Sequence, residues 1–220
     1  IDFEVSIDEA PSVTAPEEHF VIAGELIAAG VRPVSMAPHF SGRFEKGIDY
    51  IGTLSDFERD LEAHQGIAEA FGYKLSVHSG SDKFLVYPAI GRITGGCLHL
   101  KTAGTNWLGA VRILAQADPA LYRRAHAFAL ENREQALQYY HISADPKDIP
   151  DIALQSDDYL PEYLNLPALR QYMHIAYGML LMQPWFGGPF HRLINEHEEQ
   201  YYEALVRHIG RHLALMLGRS

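Results

Sequence analysis

Leu75-Ser76-Val77-His78-Ser79-Gly80-Ser81-Asp82-Lys83 alternates apolar with polar residues and then runs into a loop of small and ionisable groups. Successive side chains of a strand point to opposite faces, so Leu75 and Val77 share one face and Ser76 and His78 the other. Three further stretches end in the same way: Phe3-Glu4-Val5-Ser6-Ile7-Asp8-Glu9, Val34-Ser35-Met36-Ala37-Pro38-His39 and Leu98-His99-Leu100-Lys101-Thr102. Their apolar positions are Val5/Ile7, Val34/Met36 and Leu98/Leu100, and their polar positions are Glu4/Ser6/Asp8, Ser35/Ala37/His39 and His99/Lys101. Strands with a common apolar outer face and a polar inner face are the staves of a barrel, with reactive groups at their carboxyl ends.

Between these strands the pattern is helical. Thr14-Ala15-Pro16-Glu17 reads as a capping box opening a helix that Gly30 closes, and Ser55-Asp56-Phe57-Glu58 as a second box opening a helix that stops at Gly72. A short helix around residues 84–94 precedes the fourth strand. The order βαβαβαβ predicts a parallel sheet with crossover helices. Beyond Asn106 the spacing predicts helices over 108–117, 119–140, 166–182 and 190–217, with an Asp- and Pro-rich loop over 142–160. Four strands do not close a barrel that usually takes about 250 residues. The expectation is therefore an α/β fold, the C-terminal half of a TIM-like (β/α)8 barrel with additional C-terminal helices, in a natural chain that starts earlier. Residues 1–105 supply four βα units, and 106–220 a mainly helical part of the same domain. An open sheet is the alternative, and it too binds ligands beyond its carboxyl edge.

Hydrophobic residues make up 47% of the chain and charged ones 21%, which excludes a disordered protein. The formal charge of −10 argues against a nucleic-acid partner, since phosphate binding needs clustered Lys and Arg. A single cysteine, Cys97, excludes an internal disulfide and suits a reducing, cytoplasmic setting. No apolar run reaches membrane-spanning length, so no membrane partner is expected. The long final helices allow a homo-oligomer, although docking within the chain explains them equally well.

The strand ends carry the chemistry. Carboxylate plus imidazole is a ligand set suited to Zn²⁺, Mn²⁺, Co²⁺ or Ni²⁺, and such an ion can polarise a ketone. The candidate metal ligands are Asp8, His78 and His174, the last in the aromatic run Arg170–Gly178. Asp8 fits the inward pattern, and the turn at Ala10-Pro11 leaves Glu9 open as the alternative carboxylate. Glu9, Asp82 and Lys101 are candidates for proton transfer. His39, Arg43, Ser79, Ser81, Lys83 and Thr102 are candidates for substrate contact, the serines and Lys83 as an anion cradle and Thr102 at the start of a helix. Each has a plainer reading: an inward His is more often a hydrogen-bonded core residue, and Arg43 sits in a charged loop where solvation is the default. His99 lies one layer deeper, where a structural role is expected. His191, His197, His208 and His212 are expected on a solvated helix face.

The runs His78-Ser79-Gly80-Ser81-Asp82-Lys83-Phe84, His99-Leu100-Lys101-Thr102-Ala103-Gly104-Thr105, Phe44-Glu45-Lys46-Gly47-Ile48-Asp49-Tyr50-Ile51-Gly52, Val5-Ser6-Ile7-Asp8-Glu9 and His174-Ile175-Ala176-Tyr177-Gly178 together resemble the tagaturonate epimerase family, also described as hexuronate C4-epimerases. The resemblance covers nearly the whole chain but only the C-terminal portion of a longer family member. It implies a metal-dependent interconversion of D-tagaturonate and D-fructuronate, with a small ketouronate as substrate. These sugars differ at C3, a carbinol carbon alpha to neither carbonyl but beta to the C5 ketone. Simple proton abstraction cannot invert it, whereas retro-aldol cleavage of C3–C4, rotation of the aldehyde and re-addition can. No G-x-G-x-x-G fingerprint supports a route through transient oxidation. A metal-dependent sugar aldolase or ketose 3-epimerase is the alternative enzyme, and a sugar-acid binding protein the non-catalytic one.

Overall fold

The computed structural model describes residues 2–218, with the side chains of Ala103 and Thr105 outside the description. The strands are β1 (Glu4–Ser6), β2 (Ser35–Ala37), β3 (Lys74–Val77) and β4 (Leu98–Leu100). They form one parallel sheet in the order β1-β2-β3-β4, with Ser6 opposite Ala37, Met36 opposite Leu75 and Ser76 opposite His99. Helices α1 (Pro16–Ala28), α2 (Leu54–Phe71) and α3 (Tyr87–Thr94) make the crossovers. This is an α/β protein. The strands are shorter than the alternating runs that announced them.

Both expected capping boxes sit elsewhere. Helix α1 starts after Ala15, whose N–H donates to Glu18 Oε2 at 2.9 Å. Thr14 instead accepts from the His39 N–H and donates its own N–H to the His39 carbonyl, both at 2.9 Å. Helix α2 starts after Thr53, and Gly72 closes it in the left-handed region at φ 78°, where glycine carries no Cβ penalty.

By Cα packing the chain divides into two compact units. The first comprises Ile1–Phe44, Asp49–Thr102 and Arg211–Ser220. Its core takes Met36, Leu75 and Val77 from the apolar face of the sheet, with Leu98 and Leu100 alongside, against Phe57 and Leu61 of α2 and Val86 and Ile90 beside and within α3. The second unit comprises Glu45–Ile48 and Ala103–Gly210. It contains α4 (Ala103–Ala117), α5 (Pro119–Glu131), α6 (Arg133–Ala136), α7 (Leu160–Tyr163), α8 (Pro167–Ile175), α9 (Tyr177–Leu181), α10 (Gly187–Glu196) and most of α11 (Glu198–Met216). Breaks at Asn132, Ala176 and His197 divide three of the four expected long helices. The fourth, α4, starts five residues before its expected Leu108. Segment 45–48 is tied down within this unit: Glu45 Oε2 accepts from the Ser143 N–H and Oγ and from Gln171 Nε2, and Arg170 Nε donates to the Gly47 carbonyl at 2.7 Å. No helix among the described residues is long and apolar enough to cross a membrane.

Under the apolar face of the sheet lies a chain of buried polar groups. Tyr73 Oη is 2.6 Å from His19 Nε2, His19 Nδ1 is 2.8 Å from His64 Nδ1, and His64 Nε2 is 3.4 Å from Asp60 Oδ1. One assignment serves every contact: Tyr73 donates to His19, His19 donates through Nδ1 to His64, and His64 points its Nε2 proton at Asp60. Burial, and secondarily the neighbouring His64, lowers the His19 pKa to about 4. An unfolded imidazole titrates near 6.5, so between pH 6.5 and 4 the unfolded chain binds a proton that the folded one refuses. His19 stability is thus complete above 6.5 and falls as pH drops, by roughly 3 kcal/mol at the acid end of that window. Denaturant melts of wild type and His19→Leu at pH 7.5 and 4.5 should show the variant losing most of this pH dependence.

Candidate functional site

The polar face of the sheet gathers around Glu4. Its Oε1 lies 2.7 Å from His78 Nε2, and its Oε2 lies 2.8 Å from His99 Nδ1. Ser35 Oγ donates to the same Oε2 at 2.5 Å, and Ser76 Oγ is 3.0 Å from His99 Nδ1. His78 turns its other nitrogen to Asp8, with Nδ1 3.1 Å from Oδ1, and Ser6 Oγ donates to that oxygen at 2.5 Å. Alternation places Glu4, Ser6, Ser35, Ser76 and His99 on one face, and the parallel register brings them side by side. Burial pushes the Glu4 carboxyl up, but hydrogen bonds from Ser35, His99, His78 and Ser76 outweigh it and hold its pKa at about 2. Glu4 is therefore a permanent anion beneath two imidazoles.

The two rings differ in what they leave open. His78 is mostly enclosed, at 11% side-chain exposure, and faces carboxylates with both nitrogens. His99 is 52% exposed and donates through Nδ1 to Glu4, which puts the lone pair of the neutral ring on Nε2, the arrangement that makes a His–carboxylate pair a general base.

The remaining expected residues spread out. Glu9 and Lys101 are exposed, and the Lys101 backbone pairs with Val77 and Gly80. His39 is half-buried with Nδ1 2.9 Å from the Ala10 carbonyl, Arg43 is exposed on a bridge to Ile51, and Thr102 is partly exposed. Ser81, Asp82 and Lys83 are buried, and Lys83 Nζ donates back to the Ser81 carbonyl at 2.9 Å. The N–H groups of Gly80, Asp82 and Lys83 go to the Lys101 carbonyl, His212 and Tyr87, so these donors serve the protein itself. His174 belongs to α8 of the second unit, where it is buried and so close to Gly104 that a Cβ there would meet its ring at 1.9 Å.

Glu4 and His99 are the residues that sequence reasoning passed over: the alternation named both as inward-facing, but weight went to strand ends. Of the histidines expected on a solvated helix face, His212 is instead buried. His212 is 1% exposed, against Asp82, Phe84 and Tyr87. Asp82 and His212 are donors of the kind divalent ions accept, and α11 carries His208 one turn before His212.

A parallel sheet whose polar face collects carboxylates and imidazoles around one buried-edge anion places the chain among α/β proteins with a polar functional face. Comparison narrows the class. Residues 1–216 match the UxaE tagaturonate epimerase family, and the chain belongs to it. It is 41% identical over 218 residues to a tagaturonate/fructuronate epimerase of Thermotoga maritima, covering 99% of this chain and 45% of that one. It superposes with a TM-score of 0.96, at 52% identity, on the glycerol-complexed and native crystal structures of the fructuronate-tagaturonate epimerase UxaE from Cohnella laeviribosi. Those matches cover 99% of this chain and 46% of each crystallised chain. The chain thus spans about half the length of these relatives.

Proposed function

We propose that this chain carries the catalytic face of an enzyme interconverting D-tagaturonate and D-fructuronate, as half of a (β/α)8 barrel. The observation that supports it most is the bond from Glu4 to both His78 and His99 on the polar face of the sheet, in a chain of the epimerase family. His99 Nε2 takes the C3 hydroxyl proton as the C3–C4 bond breaks and its electrons pass into the C5 carbonyl. The aldehyde rotates, the bond re-forms on its other face, and the same nitrogen returns the proton. Lys101 and Glu9, both exposed, attract and orient the substrate carboxylate and hydroxyls.

The residues fit a divalent ion. A ligating imidazole usually gives its second nitrogen to a carboxylate; His78 gives Nε2 to Glu4 and turns Nδ1 to Asp8. Asp8 and His78 would hold the ion, which would supply a Lewis acid for the C5 ketone.

The test is conversion of D-tagaturonate by the full-length protein, chelator-treated and resupplied in turn with Mn²⁺, Zn²⁺, Co²⁺ and Ni²⁺. Metal-restored D-fructuronate is expected, with His99→Ala about 10²- to 10⁴-fold slower. Undiminished turnover in His99→Ala would remove the assigned base. Absence of conversion with every metal would remove the activity and favour a sugar-acid binding role.

A further inference from the structure

The loop after β3 is held in a conformation its residues do not favour. Ser79 and Asp82 both have positive φ, 49° and 60°, and such non-glycine residues persist only where their surroundings over-determine them. Gly80 is pressed against β4 so closely that a Cβ would meet Leu100 Cδ1 at 2.4 Å. Tyr87 donates to the Gly80 carbonyl and accepts the Lys83 N–H, and Asp49 accepts the Leu85 N–H at 3.1 Å. The tie at Asp82 comes from far along the chain: His212 Nε2 accepts its N–H at 3.2 Å, across a separation of 130 residues. The His212 ring is wedged between Phe84 and Tyr87, with centroids 5.1 and 4.9 Å away, and is 1% exposed. The contact needs the neutral ring protonated on Nδ1.

We propose that His212 is a positioning residue: by accepting the Asp82 N–H it locks the strained 79–83 loop and thereby fixes His78, the residue on which that loop begins, between Glu4 and Asp8. The inference rests on the function proposed above for His78, but the loop's order is measurable without it. Without the acceptor, an αL aspartate with a buried N–H relaxes toward the ordinary backbone regions, and His78 moves with the segment. Displacing a catalytic group by about 1 Å can cost on the order of 10²-fold in rate.

Gln places an amide oxygen near the position of imidazole Nε2, whereas Leu fills the volume with no acceptor. In the full-length protein, His212→Leu and His212→Gln are compared by hydrogen exchange of the 76–87 segment and by kcat and KM for D-tagaturonate. Faster exchange confined to this segment in His212→Leu, restored in His212→Gln, is expected. A fall in kcat of about tenfold to a hundredfold with little change in KM should accompany it, and His212→Gln should recover most of it. Equal exchange in both variants and wild type would overturn the proposal. So would a loss of bound divalent ion common to both variants, which would make His212 a ligand. If wild type itself shows no turnover, the exchange result still decides the role of His212, and only the epimerase reading falls.

Discussion

Glu4→Gln is expected to lower kcat/KM for D-tagaturonate about 10³-fold while leaving the protein folded. The carboxylate accepts from two imidazoles and a serine at once. An amide has one accepting and one donating end, so at least one ring would face an N–H where it now donates. For His99 the consequence is a tautomer flip: the proton moves to Nε2 and the base is lost. Removal of an anion that is only partly buried should shift the melting temperature by no more than about 5 °C. The pH profile gives a second check. Glu4 has its pKa lowered from 4.5 to about 2, so its contribution to stability is complete above 4.5 and is lost only as pH falls through about 2. An acid limb in kcat/KM above pH 3 is therefore not the titration of Glu4. An activity loss under tenfold in Glu4→Gln would mean the two imidazoles do not act through this carboxylate.

Gly91→Ala is expected to be the most destabilising single methyl in the first unit. A Cβ on Gly91 would lie 1.7 Å from the Met216 carbonyl oxygen and 2.5 Å from its carbon. Those are backbone atoms of α11, so no rotamer change relieves the clash. The end of α11 must move off α3, uncovering part of a core that includes Ile90, Leu215 and Met216. Forcing a group into a packed contact typically costs about 1–3 kcal/mol, and the immobility of a helix backbone places this site at or above the top of that range. Because His212 lies on the same turn-and-a-half of helix, the variant should also loosen the 79–83 loop. Gly24→Ala, where a Cβ would touch only Phe71 at 4.0 Å, is the matched control and should be within about 0.5 kcal/mol of wild type.

The parallel sheet was legible because helical segments alternate with its strands, and the period-two pattern of those strands, with faces of opposite character, restricts their register. Helix stops at Gly30 and Gly72 were legible because a left-handed residue is needed there. The capping residues were not, since Thr14 and Ser55 satisfy the same short motif whether or not their oxygens are engaged elsewhere. At the site, facing was readable and depth was not. Alternation put Glu4 and His99 inside, yet how far a glutamate leans along a twisted sheet is a property of packing. His212 was missed for a related reason. At the end of the last helix the covered face is not the most apolar one: Leu213 is 50% exposed and His212 is buried. A histidine that fills a core between two aromatic rings reads as a polar residue in any hydrophobicity pattern.

The first unit is completed by residues 211–216, about 110 residues after its last strand ends at Leu100. A ribosome delivers the amino end first, so the four strands and three crossover helices emerge well before the piece that covers Tyr87 and Gly91. At about 5–20 residues per second the delay is on the order of ten seconds. During that interval the α3 surface that the final helical turn covers, at Tyr87 and Gly91, is exposed to other chains. Closure then depends on a contact of long sequence separation, the kind that forms late. Yield in the cell should accordingly be governed less by the strength of the finished core than by how well that α3 surface is shielded until the final helical turn arrives.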